Sequence, residues 1–143
     1  MRTLLTAALA ALIAVLAAGT ATAQSPVPGF QIDLAGSGGA HLECFVSRGR
    51  LRCLNYNQAQ APGRCDFGGD VPTVVLARRG RAVISYTCVD EGFHDWARLK
   101  AGQTFRSGPF RCKAQNARTR LRCASTVSGW SFSIASDGRV RRG

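Results

Sequence analysis

Histidine is scarce in this chain, and the scarcity removes an option. His41 and His94 are the only histidines and lie far apart in sequence. Zinc centres draw their ligands from closely spaced pairs, so neither histidine has a partner at ligand spacing. No serine stands in the Gly-x-Ser-x-Gly context of a nucleophile elbow, and no glycine-rich phosphate loop follows a strand. Long apolar runs are missing after the first 18 residues, so nothing downstream approaches the ~20 residues that a membrane-crossing helix needs. Helical periodicity is nearly absent as well.

What is there begins with a pattern of export. Met1-Arg2-Thr3 supplies a short positive start, Leu4 to Ala18 is apolar and uncharged, and Ala21-Thr22-Ala23 is the small-x-small pattern of a processing site. The reading is a signal peptide over residues 1–23, cleaved after Ala23, then a flexible proline-bearing leader over 24–29. Residues 30–143 form a single domain, since a chain of this size supports one modest core and not two. The expected location is secreted, or periplasmic and associated with the cell envelope.

Six cysteines, Cys44, Cys53, Cys65, Cys88, Cys112 and Cys123, all lie downstream of that signal. In an oxidising compartment they read as three disulfides stapling a small domain. The tightest gap between them is eight residues, too wide for a C-x-x-C redox site or a paired zinc ligand set. No metal and no cofactor is expected.

Turn signals and alternation place the cysteines on hairpins. Phe30, Ile32 and Leu34 alternate with polar residues, the period of a half-buried strand. Leu42–Val46 and Arg50–Leu54 flank a turn at Arg48-Gly49, which sets Cys44 opposite Cys53. Thr73–Ala77 and Arg81–Thr87 flank Arg78-Arg79-Gly80, and Phe110–Ala114 pairs with Thr119–Ala124. Trp130–Ala135 is a last alternating strand, and the segment Asp90–Leu99 is the one place for a turn of helix. The expected class is all-β, a disulfide-stapled domain of hairpins forming a sandwich or barrel. Of the 15 pairings that six cysteines allow, the hairpins favour Cys44–Cys53, Cys65–Cys88 and Cys112–Cys123. Both closing arms read Arg-Leu-Arg-Cys, at Arg50–Cys53 and Arg120–Cys123, a hint of internal duplication.

With these residues in place, the chain from about Phe30 to Ile134 resembles a bacterial family of small secreted six-cysteine domains of unknown function. The resemblance rests on the six cysteines, a strand led by Phe30, Gly39 before Cys44, Gly80 before Cys88, and Asp90 just beyond it. It continues through Leu99, Gly102, Gly108, Phe110 and Cys112 and closes on Gly129 and Phe132. Asp66-Phe67-Gly68-Gly69 stands where the family has an acidic-Trp-Gly element, and His41 where it has Asn. The resemblance implies a secreted six-cysteine β domain and no catalytic residues.

Charge is the sharpest remaining feature. The chain carries 19 Lys and Arg against 8 Asp and Glu, a net +11. From Gln24 to Trp96 seven arginines balance seven acids, whereas from Ala97 to Gly143 eleven basic residues face Asp137 alone. If Cys112 faces Cys123, strand alternation puts Phe110, Cys112, Ala114, Leu121 and Cys123 on one face of the third hairpin. The other face then holds Arg111, Lys113, Arg118, Arg120 and Arg122. Arg139, Arg141 and Arg142 belong to the tail that follows.

Such a face favours an anionic partner, an envelope polymer or lipid head groups ahead of nucleic acid, because no nucleic-acid fold motif or interleaved aromatics accompany it. The functional expectation is a non-enzymatic binding or envelope-associated protein. A small hydrolase or calcium-binding domain using Asp90, Glu91, His94 and Asp95 is the alternative. A purely structural secreted protein, with those arginines as a solvated surface, is the third. Trp130 would be a carbohydrate platform only if exposed.

Overall fold

The computed structural model describes residues 28–36, 39–58, 65–66, 69–89 and 95–143. Among them are ten strands: β1 Gly29–Asp33, β2 His41–Ser47, β3 Arg50–Asn55, β4 Gly69–Ala77, β5 Val83–Val89, β6 Thr104–Ser107, β7 Phe110–Ala114, β8 Arg120–Ser125, β9 Ser131–Ala135 and β10 Val140–Arg142. They form two antiparallel sheets, β1 to β5 and β6 to β10, and each is a meander in chain order. The fold is all-β, as the alternation implied. No helix among the described residues is long and apolar enough to cross a membrane. The signal peptide and nearly all of the leader lie outside the described residues, and β1 opens at Gly29, within the leader as read from sequence.

The turns follow from local chemistry. Between β2 and β3 both Arg48 (φ 48°) and Gly49 (φ 70°) adopt positive φ. That geometry matches the right-handed twist of the flanking strands and allows a two-residue connection. Leu42–Val46 and Leu51–Asn55 are thereby held in a register that pairs Cys44 with Cys53. The same logic operates at Gly108 (φ 52°), which opens the turn from β6 to β7.

The three disulfides are Cys44–Cys53, Cys65–Cys88 and Cys112–Cys123, the pairing the hairpins favoured. Two of them join directly opposed residues, with Cα atoms 4.1 and 4.0 Å apart, the close approach of a non-hydrogen-bonded antiparallel pair.

The two sheets echo each other. In the first, one cross-strand row runs Phe30, Cys44, Cys53, Val74, Ile84. In the second, the corresponding row runs Phe105, Cys112, Cys123, Phe132, Arg142. Each sheet therefore carries a phenylalanine on its first strand and a disulfide across its second and third. The repeated Arg-Leu-Arg-Cys occupies the third strand of both. Phe30 and Phe105 meet across the interface with ring centroids 4.6 Å apart.

The core is the space between these two inner faces. Phe30, Ile32, Leu42, Leu51, Leu76, Phe110, Leu121, Phe132, Ile134 and both opposed disulfides are buried there. Backbone bonds tie the sheets together outside the core. Ala35 N–H donates to the Arg118 carbonyl at 2.8 Å and Ala40 N–H to the Ser136 carbonyl at 3.0 Å. At another contact between the sheets, the Ser125 hydroxyl donates to the Arg78 carbonyl at 2.7 Å.

The crossing from the first sheet to the second runs along β1. Gln31 N–H donates to the Ala97 carbonyl at 3.1 Å and Leu99 N–H to the Gln31 carbonyl at 2.8 Å. Residues 95–99 thus contain a parallel bridge at Arg98 where a turn of helix was expected; the rest of that expectation, Asp90 to His94, lies outside the described residues. A 3-10 turn occurs instead at Tyr56–Gln58.

Candidate anion-binding face

Strand alternation decides which side chains leave the sandwich. In the second sheet Cys112, Cys123 and Phe132 point inward, so their neighbours in sequence point out. One outward row runs Thr104, Lys113, Arg122, Ser133, Arg141. The next runs Arg106, Arg111, Ala124, Ser131, and Arg120 stands opposite Ala135. Six cations, Arg106, Arg111, Lys113, Arg120, Arg122 and Arg141, therefore share one sheet face.

Two pairs of them are direct cross-strand partners: Arg106 with Arg111, and Lys113 with Arg122. Like charges directly opposite each other destabilise a sheet. No acidic residue occupies an outward position on these five strands. The side-chain ion pairs seen among the described residues include Asp33 with His41, Asp33 with Arg98, and Asp137 with Arg139. None of them involves the six.

The first sheet shows that a bare face is not a general property of this fold. Of its outward positions, Glu43, Leu54, Val71, Thr73 and Val75 are buried, while Val83 and Ser85 on the edge strand β5 are exposed. Tyr56 reaches over that side to donate its hydroxyl to Glu43 at 3.1 Å, and Trp96 packs on outward-facing Phe45 with ring centroids 5.2 Å apart. Burial, and then the Glu43 carboxylate, push the Tyr56 hydroxyl's pKa well above the ordinary tyrosine range. On the second sheet Arg106, Arg111, Lys113, Arg122 and Arg141 are exposed and Arg120 is half-buried.

Arg118 does not belong with them. It was expected on the same face as Arg120; it lies in the turn before β8 at φ 51°, where its carbonyl holds the Ala35 N–H. Arg111, Lys113, Arg120 and Arg122 stand where alternation put them. Arg106 and Arg141 were not read as part of the face, because β6 and β10 were not recognised as strands. Their signals were slight: Thr104 to Ser107 alternates ahead of Gly108-Pro109, and Val140 follows the Asp137-Gly138 turn.

The face is not flat. A depression of about 230 Å³ opens over β9, among Arg120, Arg122, Ser131, Ser133 and Arg141. A second hollow of about 440 Å³ lies beside it against Lys113, Gln115, Asn116 and Arg122. Arg139 is outside this set: its guanidinium pairs with Asp137, whose carboxyl is held below the usual range first by the Arg139 backbone N–H.

Elsewhere the chemistry is thinner. A cleft of about 610 Å³ between β5 and β10 is lined by Pro72, Ile84, Tyr86, Val140 and Arg139, with no cluster of acids or nucleophiles. Asp33 accepts from His41 at 2.6 Å and also pairs with Arg98; the His41 bond is the main cause that lowers its pKa. No three metal-ligating side chains converge among the described residues. Of the loop considered for catalysis or calcium, Asp95 is exposed, while Asp90, Glu91 and His94 lie outside the described residues. Trp130 is half-buried, with the Arg81 guanidinium 4.6 Å from its ring centroid.

No family model, no curated protein and no solved structure matches this chain. Three disulfides with no free cysteine fit an oxidising compartment.

Proposed function

We propose that this is a secreted, non-enzymatic binding protein that holds anionic partners on the outer face of its second sheet. The observation that supports it most strongly is the direct opposition of Lys113 and Arg122, with Arg106 against Arg111 beside them, on strands that carry no acidic side chain. The sheet tolerates this repulsion, while the first sheet buries the outward side chains of its central strands. An anionic partner relieves the repulsion and releases its counterions on binding. The export pattern and the disulfides support an extracellular or envelope setting, where acidic polymers and lipid head groups are the abundant anions, and the resemblance to secreted six-cysteine domains agrees with it.

The test is binding of the oxidised protein to anionic polymers across a salt series, beside a variant carrying Arg111→Ser, Lys113→Ser and Arg122→Ser. All three side chains are exposed, so the fold should survive. Each lost phosphate-type contact lowers the slope of log affinity against log salt by about 0.7 for a single-stranded polyanion, about 2 for three. Absence of binding at low salt would reduce the face to a solvated surface.

A further inference from the structure

The face has a shape as well as a charge, and the shape selects among anions. All three outward residues of β9, Ser131, Ser133 and Ala135, are small. On one side β8 raises Arg120 and Arg122; on the other β10 raises Arg141. Ser133 is paired with Arg122 and with Arg141 in the same cross-strand row, and all three line the same depression. Strands sit about 4.8 Å apart, which puts the two arginine-bearing backbones about 10 Å apart. The depression over β9 is the opening between them. Ser131 is buried beside Gly143, whereas Ser133 is half-buried and, among the described residues, its hydroxyl makes no hydrogen bond, which leaves it open to a ligand.

We infer that this trough seats an extended, single-chain polyanion lying along β9, with one oxyanion of the chain held between Arg122 and Arg141 over the Ser133 hydroxyl. The inference rests on the anion-binding reading above and narrows it to one class of partner. Arginine presents a planar fork of donors that fits a phosphoryl, sulfuryl or carboxylate oxygen pair. Arg120 lies two residues, about 7 Å, along β8 from Arg122, within reach of a neighbouring anionic group of the same chain. A lipid surface, being broad, meets the crests of the arginines and leaves the floor untouched. A polymer with one chain's width reaches the floor.

The test fills the trough without changing its charge. Ser133→Trp keeps every cation and places a good strand-forming side chain at an outward position, with Ser133→Ala as the conservative companion. Both are compared with wild type for binding to linear polyphosphate, dextran sulfate and polygalacturonate, and to vesicles of phosphatidylglycerol in phosphatidylcholine. Melting curves confirm that the fold is kept. The expected result is a loss of about tenfold or more for the polymers with Ser133→Trp, a smaller loss with Ser133→Ala, and unchanged vesicle binding. The rank order of the three polymers then identifies which oxyanion the site prefers.

Equal polymer binding by Ser133→Trp and wild type would overturn the trough while leaving the basic face standing, provided the Arg111, Lys113 and Arg122 variant still loses affinity. Wild-type vesicle binding as tight as polymer binding would also overturn it. Failure of the wild type to bind any of the four probes at low salt would remove both readings together.

Discussion

Lys113 and Arg122 face each other across β7 and β8 with both side chains on the outer surface of the sheet. The arrangement costs stability, since opposite-charge pairs at such positions favour a sheet and like-charge pairs oppose it by about 0.2–1 kcal/mol. The same two side chains are the centre of the face proposed above to bind anions. Stability and binding are therefore set against each other at one pair of residues, and that opposition can be measured.

Lys113→Glu converts the repulsive pair into an attractive one. The variant should melt a few degrees higher than wild type, since about 0.5–1 kcal/mol moves the midpoint of a domain of this size by that much. Its affinity for a linear polyanion should fall, with a salt slope shallower by about 1 or more. Paired thermal melts and salt titrations check both halves. A variant that is less stable and binds equally well would show that neither charge belongs to a functional face.

The three disulfides differ in access, and reduction should reveal it. Cys44, Cys53, Cys112 and Cys123 are fully buried, whereas Cys65 is half-buried and Cys88 exposed. Mild reductant followed by alkylation and peptide mapping should label Cys65 and Cys88 first, the other four only as the domain unfolds. By the chain-entropy estimate each bond contributes about 2.5–3.5 kcal/mol, against a total of about 5–15 kcal/mol for an ordinary domain. Complete reduction is accordingly expected to unfold the protein at room temperature, read by circular dichroism.

Asp33 links β1 to the crossing segment through Arg98 and to β2 through His41. Its pKa is lowered in the folded state, chiefly by the His41 bond. A depressed carboxylate contributes stability that is present above its unfolded pKa of about 3.9 and lost as pH falls through the lower folded value. Asp33→Asn should therefore lower the urea midpoint at about pH 7 and flatten the decline that wild type shows below about pH 4. Because the Asp33 side chain is 44% exposed, solvent screening keeps the effect small. Parallel acid limbs in the two proteins would show that Asp33 contributes nothing through its charge.

Much of this fold was legible because its information is local. Arg48-Gly49 specifies a tight turn, the turn sets the register, and the register brings Cys44 to Cys53; alternation then assigns Arg111, Lys113, Arg120 and Arg122 to the outside. What was not legible is long-range. Thr104–Ser107 and Val140–Arg142 are four and three residues long, too short and too charged to announce themselves as strands. They become strands because β7 and β9 offer them an edge. Arg118 was misplaced because a residue at positive φ in a turn breaks the alternation that was used to count it. The covering of the first sheet by Tyr56 and Trp96 has no periodic signature at all, since both lie outside regular strands, yet it is what makes the openness of the second sheet informative.

That contrast between the two outer faces supplies the last prediction. Glu43 is completely buried on the first sheet and takes a hydrogen bond from Tyr56. Tyr56→Phe removes this donor from the buried carboxylate, at a cost of about 1.5–3 kcal/mol for a bond to a charged group. Polyanion binding should be untouched, because the second sheet's outer face lies on the other side of the core. Lys113→Glu should do the reverse, gaining stability and losing binding. Denaturant midpoints and polymer affinities measured on the two variants therefore separate the faces. If Tyr56→Phe weakened polymer binding at temperatures where it is fully folded, the anion site would not be confined to the second sheet, and its assignment to Lys113, Arg122 and their neighbours would fail.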